Sequence, residues 1–564
     1  MWLTPLKSPA QQQVTVRRFL GIDARESGEN GGFAAMCNLG GRAFPALGTR
    51  QKRGLFAQGS APGGLIAKDA LCWVEGGTFY VNGVAAEPVL TSGKKQLVSM
   101  GAYVIIWPDK VYVNTRDLTD WGSLEHTAAV SGTVETALCD SQGEIYDSYV
   151  EGDTAPAQPE SGTLWLQKGE LRRYDGAAWQ QEETFVRWDS DGIDREFAPG
   201  DGVEILGSRA LSGLHTVCAA GEDYLVLNGP WQTLGSESGT ISLCRRVPDM
   251  DLVVECNNRL WGCKYGQSGG RAVNEIYASA LGDFKNFYTY AGLSTDAYAA
   301  QRGSDGPFTA AVSFQGSPLF FKENGLEKVY ISPTGAHQIV YTPCPGVARH
   351  SQDSVQVVGS SLYYLGYDGV YRYDGAMPVK VSHALGDVLL SQGVAGGDGE
   401  IYCLSALEGT RRRMLCYHTA RQLWYEEEDP GAVSFAAVDA ELYCQCQDGS
   451  IWALHGTTGE KESGFSWRAE SGDWGLEEPR HKYVRRLDLR VKPEKGGCVT
   501  VKYSTDGGRT FTRAGSFRGH GGVEPQRLTL RLRRAPQVRL ALEGTGSCVL
   551  YAVTAIYEEG SDVV

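Results

Sequence analysis

Apolar and polar positions alternate along this chain in short runs, and Gly-rich turns separate the runs. Alternation with a period of two marks half-buried strands, whereas a long stretch with helical period is missing. The segment LYYLGYDGVYRYDG (362–375) is the densest example, with five Tyr among its fourteen residues. Tyr and Val suit the half-buried face of a sheet. The pattern predicts paired strands over 362–366 and 370–374. Asp368-Gly369 between them predicts a two-residue type I′ turn, which needs positive φ at both central positions.

The hairpin recurs. IYCLSALEGTRRRMLCYHT starts at Ile401 with Glu408-Gly409 at its turn, and ELYCQCQDGSIWALHG carries Asp448-Gly449. The turns at 368, 408 and 448 are spaced by 40 residues. Looser relatives lie at 71–83, 103–115, 259–281 and 318–331. A period near 40 filled by aromatic hairpins predicts a β-propeller, with each repeat one blade of about four strands. One blade cannot bury its own faces, so the repeats must stack. The rhythm is lost between 127 and 250, where an acidic stretch, a Pro/Ser-rich stretch and short strands follow one another. After Gly456 comes a polar, Gly-rich linker and then about a hundred residues of alternating strands. The expected architecture is all-β: an irregular six- to seven-bladed β-propeller with an inserted small β domain and a C-terminal β-sandwich. The expected boundaries are 1–54 for an extended N-terminal segment, 55–126 and 251–460 for the two parts of the propeller, 127–250 for the insert and 461–564 for the sandwich.

Composition fits this reading: 72 of the 564 residues are Gly. No apolar run approaches the roughly 20 residues that span a bilayer, so no membrane insertion is expected. The start, MWLTPLKSPAQQQVTVRR, has no apolar h-region, and no signal peptide is expected. The 14 Cys form no CxxC pair and no cluster with zinc-ligand spacing. Reduced thiols in a chain that folds in cytosol are the expectation, with Cys444 and Cys446 alternating onto one strand face. Net charge is −14, yet 480–539 holds 16 Lys and Arg against 4 Asp and Glu. Such a basic region either meets nucleic acid or an acidic subunit, or is the solvated face of strands. Arg531, Arg533 and Arg534 in RLTLRLRRA are its candidate contact residues for a DNA channel or a subunit.

Candidate chemistry is sparse. STDGGRTF (504–511) matches the Asp-box pattern, a hairpin turn whose Ser and Asp bond the local backbone, and it is read as structural. The nine His are dispersed and form no HExxH. No phosphate-binding loop or nucleophile elbow is present, and no carboxylate pair stands out for acid/base work. No catalytic residue, cofactor or metal is therefore expected, and the chain is read as a non-enzyme.

FLGIDARESGENGGFAAMCNLGGRAFPALGTRQKRG (19–54) combines an hxGhDxR opening, an acidic Gly-rich stretch and an ending with Phe44, Pro45, Leu47 and Arg50. It resembles the N-terminal segment of propeller proteins from tailed phages and prophages. The stretches 258–290, 303–330, 361–389 and the ending VTVKYSTDGGRTF…RLTLRLRRAPQVRLALEG resemble the same group. Their order is similar to the tail-hub proteins of podoviruses, also called nozzle or packaged-DNA stabilisation proteins. The resemblance covers about four fifths of the chain and omits most of 127–250. It implies a structural virion protein, made and assembled in the host cytoplasm. It implies a homo-oligomeric ring, typically of six subunits, below the portal and adaptor proteins. Such a ring extends the channel for packaged DNA and docks tail fibres or a needle. A second reading is a receptor- or glycan-binding tail propeller with the insert as binding module; Trp165, Trp179 and Trp188 are its candidate appendage or glycan contacts. A third is a glycan-active propeller enzyme, which the missing carboxylate pair disfavours.

Overall fold

The computed structural model describes residues 11–25, 29–190, 193, 196–229, 231–290, 292–332, 336–475, 480–530 and 534–559. The protein is all-β, and many of its sheets are four-stranded antiparallel meanders, an arrangement consistent with a β-propeller. Six such sheets span 62–89, 96–123, 252–301, 310–343, 356–380 and 390–427. A seventh, over 432–461, has five strands, because Gly54–Ala57 is inserted between Ile451–Ala453 and Glu460–Lys461. Gly54 is required there: a Cβ would lie 1.8 Å from the Thr458 carbonyl oxygen.

The chain divides into two compact units. The first holds residues 1–95, 321–327 and 342–564, and the second holds 96–320 and 328–341. In the first unit neighbouring sheets are tied by buried polar side chains as well as apolar contact. Gln445, fully buried, accepts from Gly64 N–H and donates to the Val74 carbonyl, both at 3.0 Å. Ser434 Oγ accepts from Leu65 N–H at 3.0 Å, and Tyr402 O–H donates to the Ser354 carbonyl at 2.7 Å. In the second unit the 96–123 and 252–301 sheets are joined in the same way. Trp107 Nε1–H donates to Met250 O at 2.7 Å, and Gln96 bonds both Asp251 O and Val253 N–H. Buried polar groups must be satisfied, so each of these bonds fixes which sheet packs beside which.

The three 40-spaced turns take three forms. At the first, Gly366 pairs with Gly369, so the loop is Tyr367-Asp368 and neither residue has positive φ. The type I′ turn centred on Asp368-Gly369 is therefore corrected. Gly369 opens the second strand, where a Cβ would meet Ser382 Oγ at 2.3 Å; Asp368 serves as acceptor for Tyr371 O–H at 2.6 Å. At the second, Glu408 pairs with Arg411 around Gly409-Thr410, with φ 60° at Gly409. At the third, Gly449 N–H bonds Cys446 O at 2.9 Å and Gly449 has φ 83°, a three-residue loop.

The region between 126 and 245 forms a closed six-stranded barrel. His126–Cys139 and Gly235–Arg245 pair over eleven positions, from His126↔Arg245 to Thr136↔Gly235. A smaller four-stranded sheet over 150–182 is an excursion from it, and its Leu164, Leu166 and Leu171 share the barrel core with Trp188, Val203 and Leu243.

The C-terminal strands form two sheets around one core that includes Leu487, Leu489, Val499, Val501, Leu540, Leu542, Leu550 and Val553. Residues from the start of the chain complete both. Gln11–Val16 and Leu47–Thr49 pair with Cys548–Glu559, and Phe33–Cys37 pairs with Ser466–Ser471. The N-terminal segment is thus a set of strands in the sandwich and, through Gly54–Ala57, in the seventh sheet. All fourteen cysteines are free thiols. Among the described residues, no helix is long and apolar enough to cross a membrane.

Candidate functional site

The polar residues of the 19–54 motif converge on joints between elements. Gly21 (φ 70°) brings the backbone against Trp424, where Ile22 N–H donates to the Trp424 carbonyl at 2.7 Å. Asp23 takes a two-point bond from Arg25, Nε at 2.7 Å and Nη2 at 2.9 Å, and this bond holds its carboxyl below the usual range. Asn38, 1% exposed and left-handed at φ 59°, accepts from Arg50 Nε–H at 2.7 Å and Glu428 N–H at 2.9 Å, and donates to Ser466 O at 2.8 Å. One amide thus fastens the N-terminal segment to the end of the sixth propeller-type sheet and the start of the sandwich. Arg50 lies 4.2 Å over the Phe465 ring and pairs with Glu462, as does the N–H of Arg53. Burial pushes the Glu462 carboxyl up, but these bonds outweigh it and hold it below its ordinary value. The Asp box behaves likewise. Ser504 Oγ–H and Thr510 Oγ1–H both donate to Asp506 at 2.6 Å, and Phe511 is half-buried.

Two of the clefts among the described residues are roomy enough for a ligand. One, about 920 Å³, lies in the first unit and is lined by residues from 42–52, 455–461, 492–495 and 547–551. Lys52, Lys461, Lys492 and Lys495 line it, along with Tyr551 and Val549. At its margin Arg42 and His455 close on Asp398, with His455 Nε2 3.1 Å from the carboxylate. Burial pushes Asp398 up, yet the bonds from His455 and the N–H groups of Ile401 and Glu400 outweigh it and hold the acid at about 2. The second cleft, about 730 Å³, lies in the second unit beside the barrel. It is lined by Glu183, Asn228, Asn286, Thr216, Thr289 and Tyr290, and Tyr290 is 58% exposed. Among the described residues no cluster of three or more His, Cys, Asp or Glu is placed to hold a metal ion.

The residues singled out in the sequence fall as follows. Arg531 and Arg533 lie outside the described residues, and Arg534 is half-buried. Trp188, 1% exposed, points into the barrel core, so a ligand on the surface does not reach it. Trp165 is 5% exposed and donates to Gly152 O at 2.9 Å. Trp179 is half-buried and packs edge-on against Trp165 at 5.4 Å. The pair forms a small aromatic corner of the 150–182 sheet, with Arg172 5.4 Å over Trp165. Neither cleft is lined by Arg534, Trp165, Trp179 or Trp188. The cleft lysines come from three distant segments, so no local pattern could have collected them.

No family model matches the chain, and no curated protein matches it. Among solved structures it is similar to an exo-β-1,3-galactanase from Phanerochaete chrysosporium, at 9% identity and TM-score 0.21, over 54% of this chain and 95% of that one. It is also similar to a glycoside hydrolase family 43 arabinoxylan arabinofuranohydrolase from Bacillus subtilis, at 11% identity and TM-score 0.15, over 55% and 95%. A bifunctional protein of Bacteroides eggerthii with a family 43 glycoside hydrolase part scores 0.19 at 9% identity, over 56% and 63%. Similarity this distant carries nothing about activity, and the propeller reading stands on the sheets themselves.

Proposed function

We propose that the chain is a structural tail protein of a phage or prophage particle, a ring-forming hub below the portal and adaptor rather than an enzyme. In this reading the seven sheets close into one irregular propeller, the barrel is its protein-specific appendage, and the sandwich makes contacts within the particle. One observation supports it above others: Asn38 and Arg50 of the tail-hub-like motif are consumed in joining elements. A motif spent on joints is what a scaffold needs. The protein alone is expected to be monomeric or weakly associated, and to form a ring of about six copies on a portal–adaptor complex. Electron microscopy of the reconstituted complex, with mass spectrometry of purified particles, tests this. A chain found only in the cytosol of producing cells and absent from particles refutes it.

A second reading, receptor or glycan binding by the insert, draws on the cleft beside the barrel. Neutral amides and hydroxyls around an exposed Tyr are groups that hydrogen-bond and stack on sugar rings. Glycan-array binding that is lost with Tyr290→Ala would favour it.

A further inference from the structure

We propose that the cleft between the N-terminal segment and the sandwich binds a single strand of nucleic acid through its phosphates. The argument begins with charge. Four lysines, Lys52, Lys461, Lys492 and Lys495, line its walls, and among the described residues none has an ion-pair partner. The two arginines that also line it are neutralised, Arg42 by Asp398 and Arg50 by Glu462. Among the described residues the single carboxylate in the lining is Glu494. A chain with net charge −14 thus gathers four unpaired lysines against one carboxylate around one concavity. Like charges so gathered repel, and low-dielectric walls focus their field on whatever enters the cleft.

The lysines come from three separate segments of the lining: Lys52, Lys461, and Lys492 with Lys495. A ligand answering them needs negative charge along its length. A phosphodiester strand carries a charge on every repeat whatever its sequence, whereas a peptide does so only in an unbroken acidic run. The lining adds Val549 and the half-buried ring of Tyr551, over one face of which Arg490 lies 5.9 Å from the centroid. Lysine charges that track a backbone beside an aromatic that meets bases are the two parts of a sequence-tolerant single-strand site. This inference stands whether or not the ring of the proposed hub forms, because every residue in it belongs to one unit of one chain.

Fluorescence anisotropy with a labelled short oligo-dT tests it on the full chain. Four phosphate contacts predict a slope of log K against log salt of about −2.8, at roughly −0.7 per contact on a single strand, or about a fifty-fold loss of affinity between roughly 50 and 200 mM salt. Each single Lys→Ala change should flatten the slope by about 0.7, and the quadruple Ala variant should abolish it. The quadruple Lys→Arg variant should keep the slope, which separates lost charge from lost fold. A quadruple Ala variant with the wild-type slope overturns the proposal. So does an Arg variant that is folded but does not bind. So does a short poly-glutamate that binds with the lysine-dependent slope while the oligonucleotide does not, since the cleft is then a site for acidic protein segments.

Discussion

The barrel and the sandwich are both β modules attached to propeller-type sheets, but they close in opposite ways. The barrel is built from one contiguous stretch, and its first and last strands pair with each other, from His126↔Arg245 inward. The chain therefore leaves it about where it came in, and the flanking sheets keep their own bonds through Trp107 and Gln96. The sandwich borrows strands from the other end of the chain. Gln11 faces Glu558 and Phe33 faces Ser471. A module closed by its own ends can be added or removed as a cassette. A module closed by distant partners pays loop-closure entropy first and makes the whole unit one cooperative object.

Deletion gives the largest contrast. Removing 127–244 and bridging His126 to Arg245 with two glycines should leave a soluble protein, because paired residues in an antiparallel ladder are only about 5 Å apart. Removing 1–49 should instead abolish folding of the first unit, since it strips strands from both sheets of the sandwich. Expression yield, circular dichroism and limited proteolysis distinguish the two, and a soluble, cooperatively melting 50–564 chain would dissolve the contrast.

Point changes sharpen it at smaller scale. Arg50→Ala removes the guanidinium that Glu462 and Asn38 share, in a joint where the Arg50 side chain is 3% exposed, and leaves Glu462 only backbone N–H donation from Arg53. Removing one member of a buried pair costs about 3–5 kcal/mol. Trp188→Ala opens a cavity in the barrel core at a similar cost, about 3–5 kcal/mol. The costs match, but their reach should differ. Hydrogen exchange should rise across the N-terminal strands, the seventh sheet and the sandwich in the first variant, and only within 126–245 in the second. Protection lost throughout the chain in both would mean that the barrel is not a cassette. Trp179→Ala, at a half-buried site, should cost least of the three.

Local features were legible in the sequence, and long-range closure was not. The 40-residue rhythm predicts the hairpins at 362, 401 and 441 because strand, turn and strand are adjacent in the chain. The register inside the first turn was read one residue late. Asp-Gly suits a type I′ loop, but Gly369 here lies just past the two-residue loop, where its φ of 155° and the close approach of Ser382 both favour glycine. The loss of rhythm after 126 marks the insert, yet not that it closes into a barrel, since that pairing joins segments about a hundred residues apart. No composition signal ties 11–49 to the sandwich, where partners such as Phe33 and Ser471 or Gln11 and Glu558 are separated by more than 400 positions. The lysine cleft is invisible for the same reason. The basic run 480–539 supplies two of its four lysines, and the other two lie far upstream of it, Lys52 between Arg50 and Arg53 and Lys461 in a two-residue strand. Trp165, Trp179 and Trp188 drew notice as aromatic residues of an insert, and the fold spends the first and last on packing.

Acid provides the subtlest comparison, because the two regions hold carboxyls shifted in opposite directions. Asp398, beside the N-terminal joint, is held at about 2 against an ordinary 3.8, its side chain 10% exposed. A depressed carboxyl stabilises the fold above its unfolded value, and that contribution is lost as pH falls through about 2, here about 2 kcal/mol. Glu462, lowered at the same joint, acts in the same sense. At the base of the barrel Asp201 is 2% exposed, and burial raises its carboxyl despite bonds from Ala198 N–H and from Arg245. The sign is then reversed: Asp201 favours the fold below its unfolded value, and that contribution fades as pH rises through the raised value. Lowering pH from about 5 to about 2 should therefore loosen the joint and spare the barrel base. The amides of Ile401 and Glu400, which bond Asp398, should lose exchange protection beyond the intrinsic pH effect, while Ala198 should hold or gain. Asp398→Asn should lower stability at neutral pH and remove most of the acid dependence at that joint. If both regions lost protection in parallel, the two carboxyls would not be governing the local response, and the electrostatic half of the comparison would fall.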